Sequence, residues 1–389
     1  MMKSELLAPA GDPEKLIWGA EYGADAVYFG LGEYSLRSYA GNFTPDQASR
    51  AFRYLHGRGK KAYVTLNVYP FTGEYGAILD LARSLPEADG FIVADPGLMA
   101  ALVKADVGIP IHVSTQANTL SAQTALFYAD LGCSRVNLAR ELSFDQIAEI
   151  REKTLGRIEL EVFVHGSVCF SYSGRCAISD YLTGRRANRG ECAQPCRWSY
   201  HLTEEQRPGS FMPVFEDARG LYLFNTRDLA LWRYAGRLAD IGIDSLKIEG
   251  RMKTVHYIAS VVYVYRRLLD GVPMDGEEIE TLLSRVSNRG YTEGFMKGQI
   301  GPEDYKTGSS SYMFTSRLLG HTDDGGILRV NNSFEGGEEA ELLTPAGVRT
   351  VTLPETFTDT EGRVLTKANN TCRLVTDLPP YSILRRIID

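Results

Sequence analysis

The chain has 389 residues, with 42 Lys and Arg against 49 Asp and Glu, a net charge of −7 and a pI near 5.6. That acidic balance excludes a protein coated in basic residues that binds nucleic acid indiscriminately. Hydrophobic content of 44%, mean hydropathy of −0.19 and no apolar run near the ~20 residues that span a bilayer exclude a helical membrane span.

From residue 5 to about residue 250 one theme repeats: a short apolar or β-branched run, a turn, then a helical stretch. The runs are ELLAPA (5–10), ADAVYFG (24–30), KAYVTLNVY (61–69), GFIVAD (90–95), PIHVSTQ (110–116), RVNLAR (135–140), IELEVFVHG (158–166) and DSLKIEG (244–250). PEKLIWGAEYG, PDQASRAFRYLHGRG and FDQIAEIREKTLG supply helices between them. Near-continuous apolar strands alternating with helices imply a parallel sheet covered on both faces. Eight such units predict a (β/α)8 TIM-like barrel over residues 1–300.

The connection between the seventh and eighth runs is long, an insertion at about 166–235 with a predicted hairpin (SYHLTEEQ and YLFNT) and a helix starting near Arg227. Long βα insertions lie on the C-terminal face, where this fold houses its chemistry. After the helical VHYIASVVYVYRRLLDG, residues 301–389 turn into short strand-like runs broken by GG, NN and DG, which predicts a small C-terminal β-barrel.

Inside the insertion, Cys169, Cys176, Cys192 and Cys196 follow the spacing C-x6-C-x15-C-x3-C. Four thiolates suit a tetrahedral zinc or an iron–sulfur cluster. Zinc modules usually show two close pairs, whereas here only Cys192 and Cys196 are close, which favours a cluster. The opening MMKSELLAPAGD has no apolar signal core, so a reducing cytoplasm is expected, where disulfides rarely persist. Arg175, Arg185, Arg186, Arg189 and Arg197 share the segment. They form either a basic patch for an anionic substrate or partners for Asp180 and Glu191.

Polar residues that break apolar strands near their ends face a barrel interior or rim. These are Asn67, His112, Gln116, Arg140, Glu141, Glu161, His165, Lys247, Glu249 and Arg251. His112, His165, Glu161, Lys247 and Glu249 are candidate catalytic groups, and Asn67, Gln116, Arg140 and Arg251 candidate substrate contacts. A Lys247–Glu249 ion pair inside the barrel is the structural alternative. No G-x-S-x-G elbow, HExxH pair or Walker loop occurs, so the common hydrolase and NTPase signatures are missing.

ELLAPAGDPEKL, ADAVYFGL, EVFVHGSVCFSYSGRCAIS, NRGECAQPCRW, SLKIEGRMKT and SNRGYTEGF together resemble the peptidase U32 family, named for collagenase-like activity. The resemblance covers about residues 5–300 and extends to the β-barrel tail. It implies a (β/α)8 barrel and a [4Fe-4S] cluster on Cys169, Cys176, Cys192 and Cys196, with a zinc or an empty site in aerobic preparations. It further implies O2-independent hydroxylation, and the length and the close ECAQPC pair resemble the members acting on tRNA wobble uridine. For that type prephenate is the implied metabolite, suited to Arg140, Lys247 or Arg251, with Tyr172 or Trp198 beside a flipped base. A second family subunit is a candidate partner. The alternatives are a collagenase-like peptidase and hydroxylation of another RNA or of a quinone precursor.

Overall fold

Leu6, Ala8 and Ala10 point outward and Leu7 inward from β1 (Glu5–Ala10), and every residue after Glu5 is buried, as a strand covered on both faces requires. The computed structural model describes residues 4–32, 34–35, 42–169, 178–185, 191–195, 216–217, 220–221, 226–298 and 312–388. Parallel strands β2 (Ala26–Gly30), β3 (Lys61–Leu66), β4 (Gly90–Val93), β5 (Ile111–Val113), β6 (Arg135–Asn137), β7 (Glu159–Ser167) and β8 (Ser245–Ile248) follow in order. β8 pairs with both β1 and β7, which closes the predicted eight-stranded barrel.

Helices α1 (Pro13–Glu21), α2 (Pro45–His56), α3 (Tyr75–Arg83), α4 (Pro96–Lys104), α5 (Ala122–Asp130), α6 (Phe144–Thr154), α7 (Ala235–Asp240) and α8 (Val255–Leu269) alternate with the strands, and α9 (Gly276–Ser284) follows. Their starts are encoded locally. Asp12 accepts from Lys15 N with Pro13 at the first helical position, and Thr44–Gln47 and Ser143–Gln146 form reciprocal capping boxes. The main core lies between strands and helices, while Leu7, Ala26, Tyr28, Tyr63 and Ile92 fill the barrel centre.

Of the predicted hairpin, SYHLTEEQ and residues 222–225 of YLFNT lie outside the described residues, and the short pairing seen is Glu216–Asp217 with Gly220–Leu221. The helical start departs from the prediction. No helix begins at Arg227. Residues 228–230 instead form a short strand antiparallel to the end of β7, and the helical conformation starts only after it. The ladder hydrogen bonds to β7 outweigh local helix propensity there.

The tail is an eight-stranded antiparallel sheet: β9 (Ser316–Thr322), β10 (Ile327–Val330), β11 (Glu339–Thr344), β12 (Gly347–Thr352), β13 (Phe357–Asp359), β14 (Val364–Leu365), β15 (Arg373–Val375) and β16 (Ile383–Ile387). Their spatial order is β12-β11-β16-β9-β10-β15-β13-β14. The sheet wraps its own core of Leu319, Leu328, Phe334, Leu342, Leu374 and Leu384. Its other face docks on α1 and α8, where fully buried Arg385 bonds to Glu341, His256 and Ser260.

Candidate functional site

β7 carries the chain out of the barrel towards the first cysteine. Asp228 and Leu229 lie opposite Ser167 and Gly166, Thr226 Oγ1 donates to Val168 O at 2.7 Å, and Arg140 NH1 donates to Ser167 O at 2.7 Å. Gly166 has φ of +111°, and a Cβ there would lie 2.4 Å from Glu249 O, so only glycine lets the ends of β7 and β8 meet. This frame delivers Cys169, whose side chain is exposed, to the C-terminal rim.

Cys192 is likewise exposed, and it forms no disulfide. Gln194, at φ of +57°, turns its N–H onto Cys192 Sγ at 3.4 Å, and Ala193 N donates to Ser179 Oγ at 3.0 Å. An amide aimed at sulfur stabilises thiolate character and is the kind of bond that tunes a metal-bound cysteine. The donor chemistry of Cys169 and Cys192 therefore fits a thiolate-bound metal group. Cys176, Cys196, Tyr172 and Trp198 lie outside the described residues, as do Arg175, Arg186, Arg189 and Arg197.

His165 sits at the rim end of β7, 1% exposed, with the rings of Tyr257, Tyr265 and Tyr291 at 5.9, 5.6 and 5.3 Å. Burial, with Lys253 adding to it against the pull of Asp228, pushes its pKa down to about 3, so the imidazole is neutral. Its Nε2 is buried with no protein partner among the described residues. Beside it, burial opposes the charge of Asp228, but Arg289 and Lys253 hold that carboxyl below its ordinary range. Arg289 grips it with both Nε and NH2 and with its backbone N–H.

The other rim candidates are held by loops. Tyr69 Oη donates to Gln116 O at 2.6 Å, and half-buried Asn67 directly follows β3 and Leu66. Arg140 lies over the Phe163 ring at 4.0 Å, and Glu141 follows it. Arg251 is buried and donates to Ser35 Oγ and Asn42 Oδ1, both at 2.6 Å, in the space above Gly30 that a Cβ would fill. Arg251 thus fastens the loop after β2. Glu249 accepts from Tyr28 Oη at 3.0 Å, and its carbonyl accepts from Tyr257 Oη at 2.9 Å.

Deeper in the barrel the candidates join one network. Glu161 accepts from Lys247 Nζ at 2.8 Å, Asn137 Nδ2 at 2.9 Å and Arg135 NH1 at 3.4 Å, and Arg135 reaches on to Glu5 and Glu159. Lys247 lies 4.5 Å from the Tyr28 ring centre, and burial lowers its pKa against the pull of Glu161. His112 meets Tyr63 edge-on at 4.7 Å and is kept neutral by burial and the cations Arg135 and Lys247. Lys247 therefore pairs with Glu161 across two strands rather than with Glu249 on its own. Arg135, Asn137, Tyr28, Asp228, Arg289 and the three tyrosines were not singled out from sequence. The strand alternation that exposed Lys247 and Glu249 also places Arg135, Asn137 and Tyr28 inward.

The sequence model of peptidase family U32 matches residues 11–306. The chain belongs to peptidase family U32. It is 36% identical over 387 residues to tRNA hydroxylation protein P1 of Bacillus subtilis, covering 96% of this chain and 91% of that protein. It is 35% identical over 399 residues to tRNA hydroxylation protein P of Escherichia coli, covering 89% of this chain and 87% of that one. A relative named collagenase, from Porphyromonas gingivalis, is 29% identical over 325 residues, covering 79% and 77% of the two chains.

Proposed function

We propose that the protein hydroxylates a tRNA wobble uridine at C5 without O2, from a site at the C-terminal rim around Cys169. The observation that carries this reading is similarity at 35–36% identity, along almost the whole chain, to two proteins named for tRNA hydroxylation. The rim chemistry supports it. Exposed thiols at Cys169 and Cys192, one of them receiving an amide N–H, suit a [4Fe-4S] cluster completed by Cys176 and Cys196. When bound, such a cluster supplies one-electron redox chemistry beside the substrate.

The chain's own residues do the rest. Neutral His165 is a hydrogen-bonding group rather than a cation, and Arg140 offers a guanidinium for a carboxylate such as that of prephenate. Phe71 and Met252, each 56% exposed on the loops after β3 and β8, give an extruded base apolar surface to stack on. Peptide hydrolysis would need a nucleophile beside a base. The ring neighbours of His112 and His165 are tyrosines, and the collagenase relative is less similar than the tRNA-named ones.

The test is complementation of a bacterial strain deleted for its own tRNA hydroxylation protein, with tRNA nucleosides read by mass spectrometry. The proposal expects 5-hydroxyuridine-derived nucleosides to return with this chain and to fail with Cys169→Ala. Unchanged nucleosides together with cleavage of gelatin by the purified protein would transfer the assignment to a peptidase.

A further inference from the structure

The C-terminal sheet is laid along α1 in step with that helix. Tyr22, just past the end of α1, donates to Leu343 O of β11 at 3.1 Å. Trp18 packs edge-on against His321 of β9, and Glu14 meets His321 Nε2 at 3.2 Å and Arg329 of β10 at 3.4 Å. From Tyr22 to Glu14 the helix rises about 12 Å at 1.5 Å per residue. From β11 to β10 is three strand steps, about 14 Å at ~4.8 Å each. The N-terminus of α1 directly follows β1, so it stands at the C-terminal face of the barrel. The strands after β10, namely β15, β13 and β14, therefore pass beyond Glu14 and overhang the rim where Gly11 abuts the carbonyl of Arg251.

The register shows what this overhang presents. His321, Arg329 and Arg373 lie directly opposite one another across β9, β10 and β15. His321 and Arg329 both reach Glu14, so the row faces the barrel side, and Leu328 and Leu374 turn the other way into the tail's core. Arg373 continues the row and has no carboxylate partner among the described residues. Arg329 is 44% exposed and shares Glu14 and Asp323 at 3.4 and 4.0 Å. On the same face Val375 and Val364 are 57% and 68% exposed. Like charges directly opposite in an antiparallel pair repel. In a chain of net charge −7, such a pair at the rim is complementary to an anion long enough to span both.

We infer that this overhanging face, through Arg329 and Arg373, docks the phosphate backbone of the RNA whose base enters the barrel mouth. The inference rests on the RNA reading given above. The two guanidiniums bridge phosphates, which position the RNA without reading its sequence, and the exposed valines lie against ribose.

Binding of the full-length protein to purified tRNA, measured by fluorescence anisotropy from 50 to 200 mM salt, tests it. Arg329→Glu with Arg373→Glu is expected to weaken binding by about tenfold or more and to lower the log–log salt slope by about two. The milder Arg373→Ala is expected to lower the slope by about one, and Arg349→Glu, on the opposite edge strand β12, to leave affinity within about twofold. Wild-type affinity in the double variant, or an equal loss in Arg349→Glu, overturns the docking face while leaving the tRNA reading in place. Failure of the wild-type protein to bind tRNA at any salt overturns both.

Discussion

Glu161 accepts from Lys247, Asn137 and Arg135 within the barrel, and that arrangement predicts how its lysine behaves on removal. Lys247→Ala leaves a buried carboxylate with weakened compensation, an expected loss of about 3 kcal/mol in urea unfolding, since breaking a buried pair costs ~3–5 kcal/mol. Unchanged stability with abolished hydroxylation would instead make Lys247 a catalytic group. His165 carries a pH prediction. Unfolded histidine titrates near 6.5, whereas in the fold His165 takes a proton only near pH 3. The unfolded chain therefore binds the extra proton, so this contribution to stability is whole above about pH 6.5 and shrinks as pH falls towards 3. His165→Gln should flatten the decline of unfolding free energy between pH 6.5 and 5 by on the order of 1 kcal/mol per pH unit; an unaltered slope would show that the imidazole already titrates normally. At this scale the sequence revealed that polar groups at alternate positions face inward, as for Lys247 and Glu249. It could not reveal that Lys247 pairs with Glu161, because that contact depends on barrel closure.

Among the elements, β7 is decisive because its nine residues run beyond the barrel and lead to Cys169. Gly166→Ala places a methyl against Glu249 O and costs an L-residue about 1–2 kcal/mol of left-handed backbone strain as well. The variant is expected to melt lower and to bind less iron per chain, whereas Gly184→Ala, at φ of +68° with no described atom within 4 Å of its Cβ, should melt lower without losing iron. All eight barrel strands were legible as apolar runs, but several runs overreach. RVNLAR reads as six residues where β6 is Arg135–Asn137, because the chain leaves the β7 ladder at Ala139, whose N–H turns to Thr119 O in the loop after β5. The helix expected near Arg227 failed for a related reason: pairing with β7 is a non-local contact without a local signature.

For the whole molecule, the sheet and barrel act together because Arg385 is buried between them. Arg385→Ala leaves Glu341 with only Arg285 at 3.6 Å and removes the contacts to His256 and Ser260. We expect about 3 kcal/mol of lost stability and earlier proteolytic release of a C-terminal fragment; digestion at the wild-type rate would mean that the apolar contacts suffice. GG, NN and DG turns made the tail legible as strands, yet its seat on α1 was hidden, since Trp18, Tyr22 and Glu14 read as ordinary helix residues. Among the described residues no helix is long and apolar enough to cross a membrane.

If Cys169 and Cys192, with Cys176 and Cys196, hold an iron–sulfur cluster that serves RNA hydroxylation, anaerobic purification with iron and sulfide analysis will show it. A brown protein with about four irons and four sulfides per chain is expected, lost in Cys169→Ala and Cys192→Ala, as a [4Fe-4S] cluster on four thiolates requires. A colourless anaerobic protein that holds one zinc on the same cysteines would contradict it.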